Sequence, residues 1–170
     1  MTKLRLLLSI LGLSIILFSC DDGGDPEPAL EAQTAMIGTY QGYRTYELPK
    51  LGGGTLAYRD SFDIVITKGR DVKTLVFTET TSEFKDKAYR YEINVEKELS
   101  NGVQFTIPEQ NFGGEPLQGE DYLNSTSFAG IHGLYDIKVD KTEKLNFSLR
   151  IVNGGVATNA VSYQYLFTKQ

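Results

Sequence analysis

The chain has 170 residues and a formal net charge of −5, from 17 basic and 22 acidic side chains. This balance argues against a nucleic-acid partner, because phosphate binding depends on clustered Lys and Arg and no basic stripe is present. The sequence has one cysteine and one histidine. A disulfide framework is therefore excluded, and a zinc site would lack its usual nitrogen and sulfur ligands.

The first twenty residues combine a basic start with a short apolar run. Lys3 and Arg5 precede an apolar stretch over residues 6–18, which is followed by Ser19 and Cys20. A helix of that length covers less than about 20 Å, too little to span a hydrocarbon core of about 30 Å. The segment 1–19 resembles the bacterial lipoprotein signal peptide with its lipobox. This resemblance implies cleavage before Cys20, palmitate-type acyl chains on that cysteine, and anchoring in the outer membrane.

Residues 20–35 are predicted to be an acidic flexible tether, with a turn or two of structure before the first strand. The part from Asp21 to Pro28 carries four carboxylates and no bulky apolar side chain, so it cannot fold alone. Removal of Lys3 and Arg5 with the signal leaves a net charge near −7. The acidic run resembles the surface-export signal of Bacteroidetes lipoproteins, which implies cell-surface exposure, while a periplasmic location stays open.

From residue 36 to residue 170, apolar and polar residues alternate with period two. The pattern is clearest where Tyr91, Ile93 and Val95 alternate with charged and amide side chains. Such alternation predicts antiparallel strands with one face against a core. Eight strands are expected, at residues 37–47, 62–66, 75–77, 89–95, 103–107, 135–139, 145–151 and 161–167.

Short turn sequences separate several of these strands and predict that sequence neighbours pair. They are Lys68-Gly69-Arg70-Asp71, Ser100-Asn101-Gly102 and Asn153-Gly154-Gly155, which tolerate the positive φ of tight hairpins. The predicted fold is all-β, an eight-stranded antiparallel up-and-down barrel of residues 36–170, since closure removes exposed sheet edges. A β-sandwich is the alternative.

The first and last predicted strands carry a family resemblance. Their sequences are Ile37-Gly38-Thr39-Tyr40-Gln41-Gly42-Tyr43 and Tyr163-Gln164-Tyr165-Leu166-Phe167-Thr168-Lys169. This pairing resembles the lipocalin-like or calycin-like barrels of Bacteroidetes lipoproteins, with Gly38-Thr39-Tyr40 in the place of the lipocalin Gly-x-Trp signature. The resemblance implies a binding protein for a small apolar or amphipathic ligand. Independently of the family, Gly38 and Gly42 leave room for a large ring or for close backbone approach.

Many aromatic residues fall on the predicted inner faces, and an eight-stranded barrel can be filled by side chains or hold one small ligand. We expect a mostly filled interior, with any cavity at one mouth. Tyrosines with hydroxyls that need polar partners mark the candidate ligand pocket. They are Tyr40, Tyr89, Tyr91, Tyr135, Tyr163 and Tyr165.

Residues 108–127 form the longest stretch without a periodic pattern, which is unusual inside a compact domain. Its aromatic and apolar residues Phe112, Tyr122 and Leu123 form a candidate recognition loop for a protein or glycan, or fold back to cap the barrel. The alternative function is therefore a cell-surface interaction or accessory protein on a solid barrel.

Candidate catalytic chemistry is sparse, and no catalytic residue, metal or cofactor is predicted. His132, between Gly130 and Gly133, is expected to be a hydrogen-bonded structural residue, because nucleophile triads would all depend on that one imidazole. Gly52-Gly53-Gly54 lacks the following Lys and Ser/Thr of a phosphate loop. The sequence therefore predicts a non-enzymatic protein.

Overall fold

The computed structural model describes residues 31–80, 89–112, 115–121, 129–152 and 160–170. Within these ranges, one short helix precedes ten strands. They are α1 (Ala32–Ala35), β1 (Gly38–Pro49), β2 (Thr55–Lys68), β3 (Thr74–Thr80), β4 (Tyr89–Leu99), β5 (Gly102–Thr106), β6 (Gln110–Phe112), β7 (Glu115–Gly119), β8 (Gly133–Ile137), β9 (Glu143–Val152) and β10 (Ala160–Lys169). Within the described ranges, no helix is long and apolar enough to cross a membrane. The predicted signal segment, Cys20 and the predicted turn at residues 153–155 lie outside the described residues.

Eight strands close into an antiparallel ring in the order β10-β1-β2-β3-β4-β5-β8-β9. The ring closes through β9 and β10, where Phe147 lies opposite Tyr165. Each of these strands pairs with the next one along the ring. The predicted eight-stranded up-and-down barrel is therefore confirmed.

The segment predicted to lack regular structure contains the two remaining strands. β6 and β7 form a hairpin, and β7 continues the wall by pairing with β9, with Leu117 opposite Ile151. Leu117 is fully buried. The residues of β6 and β7 show no period-two alternation of apolar and polar side chains, so no strand was predicted there.

Aromatic rings fill the middle of the barrel. Phe77 packs its ring against those of Phe105 and Phe147 with centroids 5.6 Å away in each case. Phe147 also stacks on Tyr165 at 4.3 Å. Such pairs contribute about 0.5–1.5 kcal/mol each beyond the burial of apolar area. The interior at this level is a packed core.

Two glycines make room for this packing. A Cβ at Gly42 would lie 2.1 Å from the carbonyl oxygen of Leu166, so β1 and β10 approach closely there, as predicted. A Cβ at Gly133 would lie 2.2 Å from the Phe105 ring. Any larger residue at either position would displace a backbone or an aromatic ring.

Helix α1 closes one end of the barrel. Ala32 and Met36 are fully buried, and the Tyr40 hydroxyl donates to the Met36 carbonyl at 2.8 Å. The Lys169 ammonium donates to the Ala35 carbonyl at 2.6 Å and lies 2.8 Å from a Glu143 carboxylate oxygen. Residues 32–35, predicted to be the last part of the tether, therefore belong to the barrel. We call this the closed end.

One predicted strand is shorter than expected. β8 ends at Ile137, whereas the alternation suggested residue 139, and the Val139 side chain is fully exposed. A tight turn takes over because Lys138 N–H donates to the Thr142 carbonyl at 2.9 Å and Lys141 adopts a φ of 63°. The strand therefore ends at this turn, although Val139 continues the apolar alternation of β8.

Candidate functional site

Three tyrosines line the inner wall at the end of the barrel opposite α1, which we call the mouth. Tyr46 of β1 lies opposite Tyr58 of β2 and opposite Tyr163 of β10, so strand register alone places them side by side. The Tyr46 and Tyr58 rings stack at 5.3 Å and 13°, and Tyr163 tilts against Tyr46 at 4.9 Å. Tyr58 keeps 39% of its surface exposed. Residues 81–88 and 153–159 lie outside the described residues.

Arg44 lies two residues before Tyr46 on the same face of β1, one step deeper in the barrel. Its Nε is 3.1 Å from Asp60 and its Nη1 is 3.3 Å from Glu79. Its guanidinium carbon also lies 5.2 Å from the ring centroids of Phe62 and Tyr163. Ion pairs and aromatic faces together compensate the cost of placing this cation largely out of water.

Glu79 is the carboxylate at the base of this site, and it is fully buried. The Tyr91 hydroxyl donates to its Oε1 at 3.1 Å. Burial raises the pKa of Glu79 to about 7, although the Arg44 charge and the Tyr91 hydrogen bond pull the pKa down. Near neutral pH the carboxyl therefore exchanges between its neutral and its ionised form.

The Tyr165 hydroxyl is buried in the same place without a hydrogen-bond partner. It lies beside Glu79 and Arg44, and burial together with the Glu79 charge raises its pKa well above the ordinary value. It forms no hydrogen bond of good geometry with either group. An unsatisfied buried hydroxyl costs roughly 1–3 kcal/mol. We call Arg44, Asp60, Glu79, Tyr91 and Tyr165 the mouth cluster.

The structure divides the six predicted pocket tyrosines between the two ends. Tyr91, Tyr163 and Tyr165 lie at the mouth cluster or directly above it. Tyr40 is buried at the closed end, where the Tyr135 hydroxyl donates to Glu143 at 2.8 Å. The Tyr89 backbone belongs to β4, and its side chain lies outside the described residues.

Sequence reasoning missed Arg44, Asp60 and Glu79, although the alternation carried a signal for two of them. Arg44 follows Tyr40 and Gly42 on the inward face of β1, and Glu79 follows Leu75 and Phe77 on the inward face of β3. A charged residue at an inward-facing position of the alternation indicates a buried polar site, because a core does not tolerate a charge without a compensating partner.

His132 has the hydrogen-bonded position that was expected of it. Its Nδ1 accepts the Ile107 N–H at 2.8 Å, and a Cβ at Gly119 would meet the imidazole at 1.8 Å. Burial lowers the pKa of His132, against the opposing effect of Asp121. Among the residues that the structure describes, no group of three His, Cys, Asp or Glu side chains is placed to hold a metal ion.

The predicted recognition loop is described only in part. Phe112 ends β6, but its side chain, Tyr122 and Leu123 lie outside the described residues. Beside this segment, a groove of about 950 Å³ runs along the outer wall. Its lining includes Glu47, Glu120 and Ser162, and the Ser162 hydroxyl donates to Glu120 at 2.9 Å.

No model of a known protein family matches the chain, and no curated protein sequence matches it. The solved structures that are similar to it include two designed or redesigned β-barrels and a barrel with a bound small molecule. EF1p2_mFAP2b bound to DFHBI has 13% identity and a TM-score of 0.43, over 83% of this chain and 100% of its own. A redesigned β-barrel has 13% identity and a TM-score of 0.43, over 82% and 96%. A de novo designed fluorescence-activating β-barrel has 12% identity and a TM-score of 0.38, over 83% and 99%. At these sequence identities and TM-scores, no ligand or activity of these proteins can be assigned to this chain.

Proposed function

We propose that this chain is a lipid-anchored envelope protein with a lipocalin-like barrel, which binds a small apolar or amphipathic ligand at its mouth without catalysing a reaction. The observation that carries the proposal is the buried Tyr165 hydroxyl without a partner, placed beside Arg44 and Glu79 beneath partly exposed tyrosines. Ligand sites combine apolar walls with a few fixed polar groups. This end of the barrel has both.

The mouth is the better place for a ligand than the middle of the barrel. Phe77, Phe105 and Phe147 pack edge to face in the middle. At the mouth, Tyr58 and Leu56 keep 39% and 44% of their surfaces exposed, and 40% of the Asp60 side chain is exposed. A ligand at this end covers apolar surface without displacing the core.

The direction of the chain supports display from a membrane. The described residues begin at α1, at the closed end, so the tether from Cys20 leads to the end opposite the mouth. A barrel anchored through acyl chains on Cys20 then holds its mouth away from the bilayer. We propose an outer-membrane location, with both the cell-surface and the periplasmic face as alternatives.

A non-enzymatic role is proposed because the one imidazole of the chain is engaged elsewhere. His132 Nδ1 accepts the Ile107 N–H, outside the mouth cluster. The mouth cluster itself consists of one guanidinium, carboxyls and phenols, which serve binding and orientation.

Native mass spectrometry of the full chain, purified in detergent from its host, tests ligand binding. We expect a co-purified small molecule that is lost in Tyr58→Ala. Tyr43→Ala is the matched control, since Tyr43 lies on the outer face of the same hairpin under Arg59. Absence of any small molecule, together with failure of apolar probes to bind the protein, would contradict the proposal.

Anchoring is tested separately by labelling cells with a palmitate analogue. The wild-type chain should carry the label and sediment with membranes, whereas Cys20→Ser should lose both properties. Protease treatment of intact cells then distinguishes the surface from the periplasmic face. A labelled Cys20→Ser chain would exclude this acylation site.

A second function, capture of a protein or glycan by the 108–127 segment, is favoured by the outer groove beside it. The exposed Glu47 and Asp121 and the half-buried Glu120 lie along that groove, so a partner there would present cationic or hydroxyl groups. Charge reversal at Glu120 and Asp121 should abolish capture of such a partner by intact cells. Unchanged capture would remove this alternative.

A further inference from the structure

The mouth cluster has an excess of negative charge around one cation. Arg44 contacts the carboxylates of Asp60 and Glu79 at 3.1 and 3.3 Å. When Glu79 is ionised, two negative charges therefore surround one positive charge. An additional anion at this position would gain little from a guanidinium that is already paired, and both carboxylates would repel it.

An added cation is no better accommodated. Arg44 already occupies the faces of Phe62 and Tyr163, with its guanidinium carbon 5.2 Å from each ring centroid. A second cation at these rings would lie next to the first. The electrostatics of the mouth therefore favour an uncharged group at this depth.

A neutral hydrogen-bonding group has a specific counterpart here. Tyr165 is 1% exposed, and its buried hydroxyl can both donate and accept but has no hydrogen-bond partner. Asp60, with 40% of its side chain exposed, can accept a further hydrogen bond. A ligand hydroxyl that enters beside Arg44 would meet an acceptor first and then an unsatisfied phenol.

The wall above the cluster is apolar. On the inward face of the hairpin formed by β1 and β2, Leu48 lies opposite Leu56, and Tyr46 lies opposite Tyr58. Leu56 and Tyr58 remain well exposed. The mouth is thus polar at its base and apolar at its rim. An amphipathic molecule would therefore bind with its polar head towards the base and its apolar part against the rim.

We infer that the mouth selects amphipathic ligands with an uncharged hydroxyl-bearing head group, bound head first with the apolar part against Tyr58 and Leu56, and discriminates against the corresponding carboxylates. This inference rests on the proposed function and specifies its ligand class. Long-chain alcohols and monoacylglycerols are molecules of this kind.

The test compares a long-chain alcohol with the acid and the amine of the same chain length, by titration calorimetry on the full chain at pH 8. We expect the alcohol to bind roughly tenfold more tightly than the acid, as one unfavourable charge contact implies, and more tightly than the amine, for which the aromatic faces are already occupied by Arg44. If none of the three binds, the proposed function fails. If they bind equally, or if a charged head binds best, only the head-group inference fails.

Variants assign the discrimination to the mouth cluster. Glu79→Gln should reduce the difference in affinity between the alcohol and the acid, because it removes one of the two charges that repel the acid. Tyr165→Phe should weaken alcohol binding several-fold while thermal stability is unchanged or higher, since the lost hydroxyl has no partner. Tyr43→Phe on the outer face is the matched control. Unchanged alcohol affinity in Tyr165→Phe, or an unchanged difference between alcohol and acid in Glu79→Gln, would overturn the assignment.

Discussion

The side-chain amide of Gln110 pairs with the backbone of Glu92 as a neighbouring strand would. Its Nε2 donates to the Glu92 carbonyl and its Oε1 accepts the Glu92 N–H, both at 2.8 Å. β5 pairs with β4 only from Asn94 onward, so the backbone at Glu92 would otherwise face a gap in the wall. One glutamine therefore links β4 to the hairpin of β6 and β7, and that hairpin links on to β9.

Gln110→Ala should lower the free energy of unfolding by about 1–3 kcal/mol, because it leaves a backbone donor and acceptor of Glu92 unpaired. Urea denaturation followed by circular dichroism measures the change. Gln118→Ala, at an exposed position on β7, is the control and should change stability by less than about 0.5 kcal/mol. Equal effects of the two substitutions would show that the amide pairing does not stabilise the wall.

The same region shows what the sequence allowed to be predicted. Long strands such as β4 and β9 repeat the alternation often enough to be recognised, and closure followed from their number and their tight turns. The hairpin of β6 and β7 is held by Gln110 and by the buried Leu117. Such contacts join residues far apart in the chain, and no local pattern encodes them.

The site was harder to predict than the fold for a similar reason. Tyr40, Tyr91, Tyr135 and Tyr165 are buried, but their division between the two ends depends on α1 closing one end through Met36 and Lys169. The pairing of Arg44 with Glu79 joins β1 to β3, two strands that are not adjacent in the ring. Only the three-dimensional ring brings these two side chains together.

Glu79 should make the barrel more stable in mild acid than in mild base. Its pKa is raised from 4.5 to about 7 in the folded state, so the folded chain binds the proton more tightly than the unfolded chain. The stabilisation is complete below pH 4.5 and is lost as the pH rises through 7. It amounts to at most about 3 kcal/mol.

Glu79→Gln isolates this contribution, because the amide keeps the shape of the neutral carboxyl and does not titrate. The free energy of unfolding, measured by urea denaturation from pH 5 to pH 8, should fall more steeply in the wild type than in the variant. Glu109→Gln, at an exposed position before β6, should follow the wild type. A wild-type slope retained in Glu79→Gln would assign the titration to another group.

His132 should affect the pH dependence of stability in the direction opposite to Glu79. Its pKa is lowered in the folded state, and protonation at Nδ1 would remove the acceptor of the Ile107 N–H. The stabilisation is therefore present above the ordinary pKa of 6.5 and is lost as the pH falls below it.

His132→Asn offers a carbonyl oxygen in place of Nδ1 and does not titrate. Its stability should match that of the wild type near pH 8 and exceed it near pH 5, in thermal melts across this range. A variant that loses stability equally at every pH would show that the imidazole serves packing beside Gly119 and contributes no acid sensitivity.

Lys169 should hold α1 in place at the closed end. Lys169→Met keeps most of the stem but removes the donor to the Ala35 carbonyl and the partner of Glu143. We expect a loss of about 1–3 kcal/mol in unfolding free energy. Hydrogen exchange should also accelerate at the Met36 amide, which donates to the Ala32 carbonyl. Lys144→Met, at an exposed position on β9, is the control. If the Met36 amide exchanges at the wild-type rate in Lys169→Met, burial of Ala32 and Met36 alone is sufficient to hold the helix against the barrel.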